Sequence, residues 1–195
     1  MKVKIDLRDA TSIDKALSEL ERFQDRLLNF AADLVNELTA EGVVIAGVKF
    51  DEAVYAGIND AKPGRTEVRL TKWKRKATVY VDGKSVLFIE FGTGINKAVP
   101  IQEYDEIEKG SVFNHGEYGD GRGSDPNGWW YTGTPQKNPP EGTERAIDPR
   151  TGKVKPNSMH TYGNDANSSM YLTRLELEQK YTEIAQRVYE RSFGR

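Results

Sequence analysis

The chain contains no cysteine, and that one absence removes disulfides, thiolate metal sites and a thiol nucleophile together. It fits assembly in a reducing cytoplasm. No stretch approaches the roughly 20 apolar residues that span a bilayer. Met1 to Asp9 alternates charged and apolar residues where a signal peptide would need an apolar core. The sequence therefore reads as soluble and not secreted, with no membrane contact. An excess of one charge is missing as well, since 28 Lys and Arg face 30 Asp and Glu. Any contact with nucleic acid then has to be local.

What is present bounds the fold. A chain of 195 residues, 37% hydrophobic and 30% charged, has room for a single domain, residues 1–195, with a large insertion. The modest apolar share leaves part of it to pack loosely or against a partner. Ile13, Leu17, Leu20, Leu27, Ala31, Leu34 and Leu38 recur at alternating spacings of four and three, broken only by Gln24, which predicts a long N-terminal helix. Thr11 or Ser12 can cap its start, and Gly42 is placed to end it. The stripe can be a coiled-coil seam, but the ordinary expectation is a face packed on a sheet.

From Val43 onward the pattern reads as strands: Val43–Phe50, Ala53–Ile58, Glu67–Trp73 and Thr78–Val81. Asn59-Asp60 and Pro63-Gly64 serve as turns. Asp82-Gly83 signals a tight hairpin, returning through Val86-Leu87-Phe88-Ile89-Glu90-Phe91. That unbroken apolar run predicts a central strand covered on both faces. Residues 92–166 carry many glycines and few apolar runs and read as a long loop or partly disordered extension. A second helix is expected over Ser168–Phe193, capped by Asn167 or Ser168. The expected class is α+β: an antiparallel sheet of about four strands packed by both helices.

Glu90-Phe91-Gly92-Thr93-Gly94 closes the apolar run. Two glycines one residue apart let the backbone leave the sheet through conformations closed to other residues, a tight exit from a strand. The spacing is neither a dinucleotide fingerprint nor a P-loop. Taken with the order of elements, this segment resembles the tail-completion or head–tail joining proteins of long-tailed (siphovirus-like) phages and prophages, in which an apolar run leads into Glu-Phe-Gly-Thr. Gly128-Trp129-Trp130-Tyr131 is similar to a loop segment of some relatives. Before the last helix the family often carries a Pro-Ala-Arg-Pro-Phe-like entry, where this chain has Asn164-Asp165-Ala166-Asn167-Ser168-Ser169-Met170. The resemblance implies a non-catalytic virion protein without cofactor, located at the neck or tail end. It implies a ring, expected to be a hexamer, in contact with head-connector and tail-tube proteins around a DNA passage.

Other candidates carry less. Lys72-Trp73-Lys74-Arg75-Lys76 is the one dense basic cluster; Lys72, Lys74, Arg75 and Lys76 could meet DNA phosphates in a lumen. The plainer reading is a solvated hairpin turn or a charged strand edge. Trp129, Trp130 and Tyr131 can anchor their own loop, fill a neighbouring subunit as an interface, or form a sugar platform. His115 and His160 could recruit Glu117, Asp120 or Asp125, but nothing has metal-ligand spacing. No Gly-x-Ser-x-Gly elbow supports a serine hydrolase. The alternative function is a nucleic-acid-binding module using the basic cluster, and an enzyme built on the two histidines ranks third.

Overall fold

A computed structural model describes Arg8 and residues 10–55, 57–72, 74–94, 129–132, 138–139, 143–147, 150–161, 163–164 and 166–194. Three helices and nine short strands are laid out along them. In chain order these are α1 (Ala10–Asp51), β1 (Lys62–Arg65), β2 (Arg69–Leu70), β3 (Arg75–Lys76), β4 (Val79–Asp82), α2 (Val86–Phe91), β5 (Thr93–Gly94), β6 (Trp129–Thr132), β7 (Glu144–Ile147), β8 (Val154–Thr161), β9 (Gly163–Asn164) and α3 (Ser169–Phe193). The class is α+β, with long first and last helices. The expected four-stranded sheet is replaced, among the described residues, by small sheets ordered β1-β4, β2-β3, β5-β9 and β6-β8-β7.

Two compact units emerge: residues 1–41, 65–79 and 177–195 form one, residues 42–64 and 80–176 the other. In the first, the N-terminal part of α1 lies antiparallel to the C-terminal part of α3. Phe193 packs against Phe30 at 5.7 Å and Phe23 at 6.3 Å between ring centroids. The Arg26 guanidinium lies 4.8 Å from the Phe193 ring centre and donates to the Ser192 carbonyl. Farther along, Glu37 pairs with Arg187 and Arg191, and Glu41 with Lys180. Ile184 and Val188 are buried on α3. The β2–β3 hairpin, with Arg69 opposite Lys76 and Leu70 opposite Arg75, completes this unit.

The second unit is built on Phe50, Ala53 and Ile89, against which Tyr55, Ala61, Val81, Val86 and Met170 pack. Here two expectations fail. Val43–Phe50 is helix, and Gly42 does not end α1, which continues to Asp51. Ile45, Ala46 and Phe50 are buried while Val44 and Val48 are exposed. That is a helical period, and its burial outweighs the cost of about 1 kcal/mol for each glycine inside a helix.

Val86–Phe91 is likewise the helix α2, not a central strand. Its predecessor β4 pairs with β1, so Asp82-Gly83 is a strand-to-helix turn and not a hairpin. Pro63-Gly64, read as a turn, lies inside β1. Among the described residues β1 pairs with β4 alone, and proline is tolerated on such an edge strand; the Tyr80 ring lies directly over Gly64. Residues 53–55 and 57–58 form no strand. The described part of 92–166, expected as loop, holds β5 to β9. In the three-stranded sheet β8 is central and pairs antiparallel with both neighbours, with an irregularity between Arg145 and Ile147.

Candidate functional site

The Glu90–Gly94 segment lies in the second unit, where two helix ends meet. A helix leaves its first N–H groups and its last carbonyls without internal partners. The six residues of α2 are too few for a stable isolated helix, so its ends need outside partners.

They come from the residues before α3. The Phe88 carbonyl accepts from Asn164 Nδ2 at 3.3 Å. The Ile89 carbonyl accepts from the Asn167 N–H at 2.9 Å and from Asn167 Nδ2 at 3.2 Å. The Glu90 carbonyl accepts from the Ser168 N–H at 3.1 Å.

The arrangement is reciprocal. Glu90 is only 5% exposed. Its Oε2 accepts from the Met170 N–H at 2.8 Å and its Oε1 from the Tyr171 N–H at 3.3 Å. A carboxylate is thus held at the positive end of α3, where both the donors and the helix dipole favour it. The cap expected of Asn167 or Ser168 is supplied instead by Glu90, some 80 residues away in sequence. The Ser168 hydroxyl is buried without a partner, on a residue of φ +52°. Asn167 is used differently: its amide accepts from the Val54 N–H at 2.7 Å and donates to the Val54 carbonyl at 2.9 Å, as a strand neighbour would. Asn164 and Asn167 therefore dock the entry to α3.

Gly92 turns the chain away from α2 with φ +80°, a region that favours glycine. Thr93 then pairs with Asn164 and Gly94 with Gly163. Four of the five residues act as one fastener: Glu90 caps, Gly92 turns, and Thr93-Gly94 zips to the strand that leads into α3. At the other end of α2, the Asp60 carboxylate accepts from the Ser85 hydroxyl at 2.6 Å, the Ser85 N–H at 2.9 Å and the Lys84 N–H at 3.0 Å. The Ser85 hydroxyl, followed by the two N–H groups, lowers the Asp60 carboxyl to about 2 from 3.8. Gly83, at φ +148°, admits this contact because a Cβ there would lie 2.8 Å from the Asp60 carbonyl oxygen.

A cleft of about 350 Å³ opens nearby, lined by Gly47, Phe50, Asp51, Ala53, Tyr55, Asn59, Ala61 and Asn138. Its amides are engaged in holding the chain: Asn59 Nδ2 donates to the Phe50 carbonyl and Asn138 Nδ2 to the Glu52 carbonyl. Among the described residues no group of three His, Asp or Glu could hold a metal ion, and no helix is long and apolar enough to cross a membrane.

Those of the remaining sequence candidates that are among the described residues lie on other elements. Thr71 and Lys74 close the β2–β3 hairpin through the Thr71 N–H to the Lys74 carbonyl at 2.9 Å. Lys72, Lys74 and Lys76 are exposed on it. Arg75 differs from them, since its guanidinium donates to the carbonyls of Leu28, Thr71 and Lys74 and so fixes the hairpin on α1. Trp129, Trp130 and Tyr131 lie in β6, opposite Thr161, His160 and Met159. Trp130 is 53% exposed, with its ring centre 4.7 Å from that of His160. Trp73, His115, Glu117, Asp120 and Asp125 lie outside the described residues.

Sequence reasoning missed Asp60 and Asn164 as structural fasteners, and gave Asn167 a different role, that of a helix cap. The Asn-rich stretch before a helix was the only signal for Asn164. No protein-family model, curated protein or solved structure matches the chain.

Proposed function

We propose that the chain is a structural connector of a long-tailed phage or prophage, completing the tail or joining tail to head. The observation that carries this reading is the Glu90–Gly94 segment at the end of an apolar run. It stands in the order long helix, paired strands, Glu-Phe-Gly-Thr-Gly, glycine-bearing stretch, final helix. The physical role of that segment supports the reading: Glu90 accepts from the first N–H groups of α3 and Gly92 turns the chain out of α2, so the residues work as a unit. In this reading the subunits close into a ring, expected to be a hexamer, through a repeated heterologous contact. The ring meets head-connector and tail-tube proteins at the neck or tail end of the virion, after assembly in the host cytoplasm.

The exposed Lys72, Lys74 and Lys76 would face non-specific DNA in the passage. The same lysines favour the second reading, a nucleic-acid-binding module, which requires salt-dependent DNA binding by the isolated protein. Deleting the gene from a producing phage tests the first reading. Filled heads and separate tails are expected, with mass measurement of the purified protein giving a ring; normal virions from the deletion would overturn it.

A further inference from the structure

We infer that the cleft beside the end of α1 is a binding site for a small alkylguanidinium group; this goes beyond the connector reading and does not depend on it. The cleft lies wholly within the second unit. At about 350 Å³ it stands at the small end of ligand-binding cavities, suited to a flat polar group on a short stem and too small for a large cofactor.

Gly47 is the first sign of an occupant. It lies inside α1 and lines the cleft. Glycine in a helix interior weakens the helix relative to alanine, so the position needs a reason. The folded chain supplies none: among the described residues, a Cβ added to Gly47 meets nothing within 4 Å. Gly64 is the contrast, since a Cβ there would strike the Tyr80 ring at 2.7 Å. What Gly47 leaves is bare helix backbone in the cleft wall, against which a flat ligand can lie closely.

The chemistry of the lining selects the ligand. Among the described residues that line the cleft none is basic, and Asp51 supplies a carboxylate, so a cation is favoured over an anion. The cleft also adjoins the last turn of α1, the negative end of the helix dipole. Lys49, the basic residue of that turn, is committed to Glu176 at 3.0 Å. Asn59 and Asn138 add amide oxygens. Each turns its Nδ2 to a backbone carbonyl, of Phe50 and Glu52 respectively, which fixes the other end of the amide as an acceptor. Asn59 Oδ1 takes the Ala61 N–H at 3.1 Å and keeps a second lone pair. Tyr55 brings an aromatic ring to the same space. Several acceptors together with a ring suit guanidinium, which is planar, donates along its whole edge, is weakly hydrated and stacks on aromatic faces. A compact, strongly hydrated ammonium suits them less.

The test is titration of the full chain with ethylguanidinium, read by amide chemical shifts and kept far below denaturing concentrations. A dissociation constant on the order of 1 mM is expected, with saturable shifts around the cleft. Ethylurea, the neutral analogue of the same shape, should bind at least ~10-fold more weakly, and Asp51→Asn should erase most of that difference. Gly47→Leu, whose side chain enters the cleft, should abolish binding. Gly47→Ala should raise the thermal midpoint, because the helix gains and no neighbour is displaced. A tripeptide with a central arginine and blocked ends separates the sources of the group. Tighter binding than ethylguanidinium assigns the site to an arginine of a partner, and equal or weaker binding to a free small molecule. Absence of saturable shifts at the cleft, equal affinity for ethylurea, full binding by Gly47→Leu, or a destabilised Gly47→Ala would overturn the proposal. Virion assembly plays no part in these readouts, so the connector reading and the site can fail separately.

Discussion

Replacing Glu90 tests the central structural argument. In the native chain both carboxylate oxygens are engaged by the Met170 and Tyr171 N–H groups. Glu90→Ala leaves two donors in a site where Glu90 itself was 5% exposed. Losing a helix cap costs about 0.5–2 kcal/mol, and losing a carboxylate from a helix N-terminus about 0.3–1 kcal/mol more. Relief of the desolvation cost of a buried charge works in the opposite direction. The expected net loss is ~2 kcal/mol for Glu90→Ala and ~1 kcal/mol for Glu90→Gln, which keeps one acceptor oxygen.

With a urea dependence of about 2 kcal/mol per molar for a chain of this size, the alanine midpoint should fall by ~1 M. Amide exchange gives the local readout: protection at Met170 and Tyr171 should drop ~30-fold, the kinetic counterpart of the same free energy. Glu183→Ala serves as the control, because Glu183 lies on the same helix with a side chain 80% exposed. It should change stability by less than ~0.5 kcal/mol. An alanine variant within ~0.5 kcal/mol of the parent, with unchanged protection at both amides, would refute the capping argument.

The Asp60 carboxyl is held at about 2, below its ordinary 3.8, so its contribution is complete above pH 4 and fades as pH falls towards 2. Asp60→Asn should therefore cost ~1 kcal/mol at neutral pH, after allowance for partial solvent exposure. The two proteins should converge in urea midpoint near pH 2; a constant gap across that range would contradict the linkage. Gly83→Ala adds a Cβ within 2.8 Å of the Asp60 carbonyl oxygen at φ +148°, and a loss of ~2 kcal/mol or more is expected in thermal unfolding. In the basic hairpin, a combined Lys72→Ala, Lys74→Ala, Lys76→Ala variant should keep its unfolding midpoint and lose any salt-dependent DNA binding. Arg75→Ala should instead lower stability, by about 1–2 kcal/mol, since its donors go to backbone carbonyls; the reverse pattern would show that Arg75 is the phosphate contact.

The two long helices were legible because their signals are local. Alternating three- and four-residue spacings marked α1, and Ser168–Phe193 was expected within one residue of where α3 lies. What misled was a pair of ambiguous apolar runs. Val43–Phe50 and Val86–Phe91 are rich in residues that favour strands, and periodicity cannot separate a short buried strand from a short buried helix. In the first case the decision rests on the burial of Ile45, Ala46 and Phe50 along one helix face, which outweighs two glycines. In the second it rests on Asp60, which holds the start of α2 from 25 residues away. Asp82-Gly83 has the composition of a hairpin turn, yet Gly83 is there for the close approach of that same Asp60 backbone. A residue pair can thus carry the chemistry of one turn while a distant side chain imposes another.

The same logic explains why Glu90 stood out in the sequence without its partner doing so. Its acceptors are committed to a helix that begins nearly 80 residues later, and nothing in the intervening composition announces that pairing. Gly92 was readable as a tight exit, though from a strand and not from the helix it ends, because glycine's permissiveness is intrinsic. Glu90 was not, because a carboxylate acquires its role only from what it meets. Fastening α2 to α3 through Glu90, Asn164 and Asn167 makes the end of one helix depend on the beginning of the other. The two helix ends should accordingly lose protection together when any one of the three is removed, and that coupling is a property of the folded junction and not of either segment alone.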